Sequence, residues 1–271
     1  MRPATVHTWH RRDPSDWRRC PCVRVERRRP LDPDGDEEGL GYLVTGQWPT
    51  TVPAVATLLA DGLDLGPATV LVGANGSGKS TIVEAIAMAF GLAPEGGSTG
   101  AQHRTYDSES PLHQELTLVR GPGGSRWGYF VRGETLHALV GYLDETAKDA
   151  LGGTADPTFA RLSHGETFLA LLASRRFRGP GFFVMDEPEA GLAFEAQLAL
   201  VGELTALSRR RGCQVLVATH SPIVAAIPGA TILQLDEHGF RRTSWSELAA
   251  VEQYRRFLAA PAQFLRHVTE V

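Results

Sequence analysis

Lysine is almost absent from this chain of 271 residues: Lys79 and Lys148 are the only two, and arginine supplies the rest of the 27 basic side chains. Such a bias reads as GC-rich coding, and it marks a lysine inside a motif as more than background. Cysteine is scarce as well. Cys20, Cys22 and Cys213 are too few to staple a chain of this length, which excludes a disulfide framework and points to a reducing compartment. Cys20-Pro-Cys22 has no second ligand pair nearby, so it does not read as a metal site. No run of about 18 uninterrupted apolar residues occurs, so no membrane insertion is expected. The opening MRPATVHTWHRRDPSDWRR lacks the apolar core of a secretory signal. A hydrophobic fraction of 42% and a charged fraction of 21% exclude wholesale disorder and low-complexity scaffolds. The formal net charge of −4 gives no overall pull toward nucleic acid. These bounds describe a soluble, cytoplasmic protein with one large domain or two small ones.

Residues 1–40 stand apart. They carry Arg11-Arg12, Arg18-Arg19 and Arg27-Arg28-Arg29, then the acidic, turn-rich LDPDGDEEG, and no apolar period. The segment reads as disordered or loosely attached, with VRVE (23–26) able to form an edge strand. Its arginines fit either a phosphate-binding arm or a solvated tail. From residue 41 to 271 strand and helix signals alternate. Strands are expected at 68–73, 182–186, 214–219 and 231–236, and helices at 81–90, 137–151, 165–177, 195–210 and 246–260. ELTLV (115–119) and WGYFV (127–131) flank the turn RGPGGSR and read as a hairpin. The alternation predicts an α/β fold with a mostly parallel central sheet.

The sequence GANGSGKST (73–81) fits G-x-x-x-x-G-K-[ST] and lies between a buried strand and a helix. Gly73, Gly76 and Gly78 let the backbone of Ala74, Asn75 and Ser77 wrap a phosphate, and the helix N-terminus adds partial positive charge there. Lys79 can reach β- and γ-phosphates. Ser80 can offer its hydroxyl to Mg2+, with Thr81 beside it. In FFVMDEPEAGL (182–192), four apolar residues put Asp186 at the carboxyl end of a buried strand, where open α/β sheets bind ligands. Asp186 is then placed for Mg2+ and Glu187 to orient or deprotonate a water. LSHGE (162–166) opens a helix, giving Ser163 and Gly165 an anion site with no phosphate of its own. In ATHSP (218–222), His220 ends another buried strand and can donate to a γ-phosphate or to the attacking water.

These four motifs, in this order, resemble the nucleotide-binding domain of ATP-binding-cassette ATPases. Within them the chain is most similar to small soluble AAA-family ATPases related to SMC and RecF-type proteins. The resemblance covers about residues 42–260. It implies a P-loop NTPase fold with an antiparallel β-hairpin subdomain and a helical signature subdomain. It also implies ATP and Mg2+ as ligands, hydrolase activity, and two subunits paired head to tail. Carried over, residues 73–81 hold the nucleotide, Ser80 and Asp186 the metal, Glu187 is the catalytic base and His220 the switch histidine, while Ser163 and Gly165 reach the partner's γ-phosphate. His164 stands where transporters have glycine, Ala193 where many members have aspartate, and Arg132-Gly133-Glu134 takes the place of the glutamine loop. Trp48 fits either an adenine stack or a core position. By kinship the process is DNA repair or phage defence, with Arg209-Arg210-Arg211 either binding DNA or complementing a helix end. The alternatives are a transporter's ATP-binding subunit and a nucleotide-gated switch with little turnover.

Overall fold

The computed structural model describes residues 19–28, 43–99, 110–136, 138–141, 143, 162 and 164–269. Ten strands are described: β1 (Arg24–Arg27), β2 (Leu63–Asp64), β3 (Ala68–Gly73), β4 (Gly97–Ser98), β5 (Leu116–Val119), β6 (Gly128–Arg132), β7 (Gly181–Asp186), β8 (Cys213–Thr219), β9 (Thr231–Asp236) and β10 (Gly239–Thr243). Six α-helices are described from end to end: α1 (Pro53–Asp61), α2 (Lys79–Phe90), α3 (His164–Ala173), α4 (Phe194–Arg209), α5 (Ala249–Ala259) and α6 (Pro261–Thr269).

Seven strands form one sheet in the order β10-β9-β3-β8-β7-β6-β4. The five inner strands run parallel, with β10 and β4 antiparallel at the edges. β3, β7 and β8 are apolar almost throughout because both faces of the sheet are covered. Alternate side chains serve opposite layers. Val70, Val72, Phe183, Met185, Val215 and Val217 pack with Phe168 of α3 and Leu200 and Leu204 of α4. Leu71, Phe182, Val184, Leu216 and Ala218 pack on the other face with Ile82 and Ile86 of α2 and Leu58 of α1. Parallel strands place their carboxyl ends together, so the residues following β3, β7 and β8 converge on one rim.

Two sequence expectations change. The antiparallel subdomain exists, but it is a three-stranded sheet, β2-β1-β5, and not a hairpin of β5 with β6. Both hydrogen-bonding edges of β6 are taken, by β7 on one side and β4 on the other, so β5 has no edge left there. It pairs instead with β1 over Arg24–Arg27. VRVE is therefore the middle of that sheet and not an edge, and residues 24–27 belong to the folded body. Val25 and Cys22 are fully buried; burying a side chain of valine size contributes roughly 1.5–3 kcal/mol. Burial also pushes the Cys22 thiol up to about 12. Gln214 of β8, fully buried, donates to the carbonyls of Cys22 and Gly66 and accepts from the Cys22 N–H at 2.9 Å. That side chain ties the small sheet to the large one. Of the helix expected at 137–151, residues 138–141 and 143 are described and helical, Leu139, Val140 and Leu143 join the core together with Leu136 just before the span, and residues 144–151 lie outside the described residues. So do the remaining parts of the Arg-rich segment, 1–18 and 29–40.

Candidate functional site

The loop between β3 and α2 carries the lysine motif. Gly78 caps α2 at φ 94, a left-handed conformation, and a Cβ there would lie 2.6 Å from Val52 Cγ1. The first turn of α2 leaves N–H groups without helical partners at this rim. Lys79, only 3% exposed, folds its ammonium onto the carbonyls of Gly73 (2.9 Å) and Ala74 (3.0 Å). Burial lowers its pKa, offset in part by Glu187, Asp186 and Glu189. The hydroxyl of Ser77 is buried with no protein partner.

Asp186 ends β7 beside α2. Ser80 donates to its Oδ1 at 3.0 Å, and the Arg132 guanidinium lies 3.7 Å from its Oδ2. Arg132 itself pairs with Glu84 at 2.7 Å. Burial nonetheless pushes the Asp186 carboxyl up to about 6, against the lowering effects of Arg132 and Ser80 and with smaller raising effects from Glu187 and Glu84. The carboxylate is short of positive charge where it stands. A divalent cation at Ser80 and Asp186, with a polyphosphate on the adjoining loop, matches that shortage and the orphaned Ser77 hydroxyl, so these residues fit Mg2+ and ATP.

Glu187 has φ 49, the only positive φ outside glycine among the described residues. Its N–H donates to Ala218 of β8 at 2.9 Å and its carbonyl accepts from Ala190 at 3.0 Å. Gly133, after β6, packs so closely that a Cβ there would lie 2.2 Å from the Glu187 carbonyl oxygen. The strained turn aims the Glu187 carboxylate at His220, whose Nε2 lies 2.9 Å from Oε1. Two residues on, Glu189 holds the same histidine by its backbone. Its Oε1 accepts from the Thr219 hydroxyl and from the N–H groups of His220 (2.8 Å) and Ser221 (3.1 Å). Ser221 in turn donates to Gln197 Oε1 at 2.6 Å, and Gln197 donates to the Leu192 carbonyl.

Lys79, Ser80, Glu187 and His220 share one cleft of about 330 Å3, lined also by Trp48, Val52, Glu134, Asn75, Gly76, Gly78 and Thr81; Asp186 reaches it through its hydrogen bond with Ser80. Trp48 is 58% exposed and is not a core residue. In the sequence Glu189 carries no assigned role, and Arg132 enters only with Gly133 and Glu134 in the place of the glutamine loop, not as a partner of Asp186. Glu189 sits inside the motif already singled out, and a second carboxylate two residues past Glu187 is a usable signal. The Arg132–Asp186 proximity depends on β6 lying beside β7 and has no local signal. Gly165, near the start of α3, packs toward Leu192 and Ala196 and does not line this cleft. Ser163 lies outside the described residues. Ala193 precedes α4 with no side-chain cap.

A family described as "AAA domain, putative AbiEii toxin, Type IV TA system" matches residues 68–130 and 157–226, spans that contain the lysine loop, Ser163, Asp186, Glu187 and His220. The zinc import ATP-binding protein ZnuC of Chelativorans sp. (strain BNC1) is 32% identical over 215 residues, 75% of this chain and 72% of that protein. The cytochrome c biogenesis ATP-binding export protein CcmA of Rhizobium etli is 31% identical over 176 residues, 59% of this chain and 79% of that protein. Among solved structures, the SMC head domain from Thermotoga maritima overlaps 67% of this chain and 92% of its own at TM-score 0.39 and 18% identity. CbiO1 from Clostridium perfringens overlaps 78% and 90% at TM-score 0.41 and 15% identity. With 32% identity over 215 residues that span 72% of a zinc-import ATP-binding protein, and the phosphate loop and Glu187 on one cleft, the chain belongs to the ATP-binding-cassette ATPases, P-loop enzymes that hydrolyse ATP.

Proposed function

We propose that this cleft hydrolyses ATP with Mg2+, and that two copies of the chain close on the nucleotide and part after hydrolysis. The observation that supports the chemistry best is the meeting of Lys79, the Ser80–Asp186 pair and the Glu187–His220 pair around one opening. In this reading Lys79 exchanges the carbonyls of Gly73 and Ala74 for phosphate oxygens, a trade its burial favours. Backbone N–H groups of residues 73–81 hold the β-phosphate at the start of α2. Ser80 and Asp186 would hold Mg2+, which when bound neutralises charge on the phosphate oxygens. Glu187 orients the attacking water and takes its proton, and His220 steadies that carboxylate from 2.9 Å. Trp48 offers an exposed ring beside the loop for the adenine face. Ser163 and Gly165 act on the partner copy's nucleotide.

The test is Mg2+-dependent turnover across a protein dilution series. Turnover per subunit should rise with concentration, Ser163→Ala should abolish that rise, and Glu187→Gln with ATP should elute as a dimer. Constant turnover from a monomer would refute the pairing, and no turnover would favour a nucleotide-gated switch. What the cycle drives is a separate matter. Two relatives are named as ATP-binding parts of zinc import and of cytochrome c biogenesis export, which favours a transporter's ATP-binding subunit over DNA repair or phage defence. No helix among the described residues is long and apolar enough to cross a membrane, so such a role needs a membrane-spanning partner chain. Capture of an integral membrane protein by ATP-loaded Glu187→Gln would support it.

A further inference from the structure

The end of the sheet opposite the cleft carries a second feature. Three connections enter the adjacent strands β6, β7 and β8 at their amino ends: residues 120–127, 175–180 and 209–212. Together they hold eight arginines (Arg120 and Arg126; Arg175, Arg176 and Arg178; Arg209, Arg210 and Arg211) and no aspartate or glutamate. Strands spaced about 4.8 Å apart bring the three onto one surface. Direct hydrogen bonds lock them together. Trp127 Nε1 donates to the Arg176 carbonyl at 3.1 Å, Phe182 N to the Trp127 carbonyl at 3.1 Å, and Gly181 N to the Gly212 carbonyl at 3.0 Å. Arg19 adjoins the group, since the Gly121 N–H donates to the neighbouring Cys20 carbonyl at 3.1 Å.

Local structure accounts for only part of this charge. Arg210 caps the carbonyls of Phe177 and Arg178, and Arg120 lies over the Phe90 ring at 4.4 Å. Helices α2, α3 and α4 end here, and three C-termini present about −1.5 charges in all against eight positive ones. Among the described residues no carboxylate pairs with Arg120, Arg126, Arg175, Arg178, Arg209 or Arg211. Glu203 shares a cleft with Arg178 and Arg210. In a chain of net charge −4, a surface of this sign and density is complementary to an anionic partner.

We infer that this arginine end of the sheet binds the phosphate backbone of nucleic acid. Guanidinium forks match phosphate oxygens in pairs, and Trp127, 39% exposed among them, presents a ring on which a base can stack. A lipid surface fits less well. Apart from Trp127 and Val119, the exposed large apolar side chains among the described residues lie elsewhere: Val44 and Trp48 ahead of α1, Trp245 ahead of α5, and the others on α4, α5 and α6. The inference goes beyond the ATP reading and needs neither nucleotide nor pairing of copies.

The test is fluorescence anisotropy of a labelled 30-base-pair duplex, and of one of its strands, with the full chain and no ATP. Six arginines without carboxylate partners set a slope of log K against log salt of about −5 for duplex. Arg175→Gln/Arg178→Gln/Arg209→Gln/Arg211→Gln should weaken binding at least tenfold at 0.1 M salt and flatten the slope to about −2. Its basal ATP turnover should not change, because none of the four lines the ATP cleft. Removing the same charge at Arg241, Arg242, Arg255 and Arg256 should leave binding in place. The pairs Arg175→Gln/Arg178→Gln and Arg209→Gln/Arg211→Gln serve if the fourfold variant does not fold. Equal binding by the two fourfold variants, a salt-independent slope, or capture by phosphatidylserine vesicles without duplex binding would overturn the assignment.

Discussion

Replacing Asp186 by asparagine should make the nucleotide-free protein more stable and destroy its activity, with a pH dependence that identifies the cause. The side chain is 5% exposed, and burial raises its pKa from 3.8 to about 6. At about 1.4 kcal/mol per unit, ionising it in the folded chain costs about 3 kcal/mol. A pKa raised by folding means the stabilising contribution is present below the unfolded value, near pH 4, and is lost as pH rises through about 6. Asparagine does not ionise, keeps an acceptor for Ser80, and leaves Arg132 its 2.7 Å pairing with Glu84. The longer Arg132 contact at 3.7 Å is already counted in the pKa of about 6, so the gain is on the order of 3 kcal/mol. At about 2–4 °C per kcal/mol for a domain of this size, the variant's melting temperature minus that of the parent should grow by about 5–10 °C between pH 4 and pH 7.5. Groups that titrate in both proteins cancel in that difference. With ATP and Mg2+ the order should reverse: the parent gains stability by binding, and the variant gains little and hydrolyses nothing above background. A difference that stays flat from pH 4 to pH 7.5 would refute the claim that Asp186 is held ionised at a cost that its ligands relieve.

Glu189→Ala should lower kcat about tenfold or more with KM for ATP nearly unchanged, because it strands the N–H of His220 while Ser221 N keeps the Thr219 hydroxyl at 2.9 Å. Glu189→Gln keeps an acceptor oxygen and should recover most of the loss; equal defects in steady-state kinetics would show that the charge and not the hydrogen bonds matters. Gln214→Leu should cost about 3–5 kcal/mol in urea unfolding, since it leaves the Cys22 N–H and two carbonyls buried without partners, and a cost below about 1 kcal/mol would mean that the small sheet is held by apolar contact alone.

The parallel sheet and the core of the site were legible because their signals are local. FFVMD needs no neighbour to read as a strand buried on both faces, and Lys79 stands out in a chain with two lysines. Pairing is a different kind of information. The turn RGPGGSR is a strong hairpin signal, yet which strand lies beside ELTLV depends on whether WGYFV has a free edge. That is settled by β4 and β7, about 30 and 50 residues away in opposite directions. The same non-local fact places Arg132 next to Asp186, because β6 and β7 are in register with Arg132 opposite Asp186. It also gathers the arginines. Each cluster taken singly is explained by a helix end or a solvated turn, and composition dilutes them into a net charge of −4. Only the order β8-β7-β6 turns three unremarkable turns into one positive surface at one end of the sheet, with the phosphate loop and carboxylates at the other. On the two assignments made above, the rims of the sheet keep two anions apart: a nucleotide at the carboxyl ends and a nucleic acid at the amino ends. Competition between ATP and duplex for a single site is then not expected. Mutual competition in a titration would mean that both anions meet the same loop, Gly73 to Thr81, and that the far rim is only a solvated face.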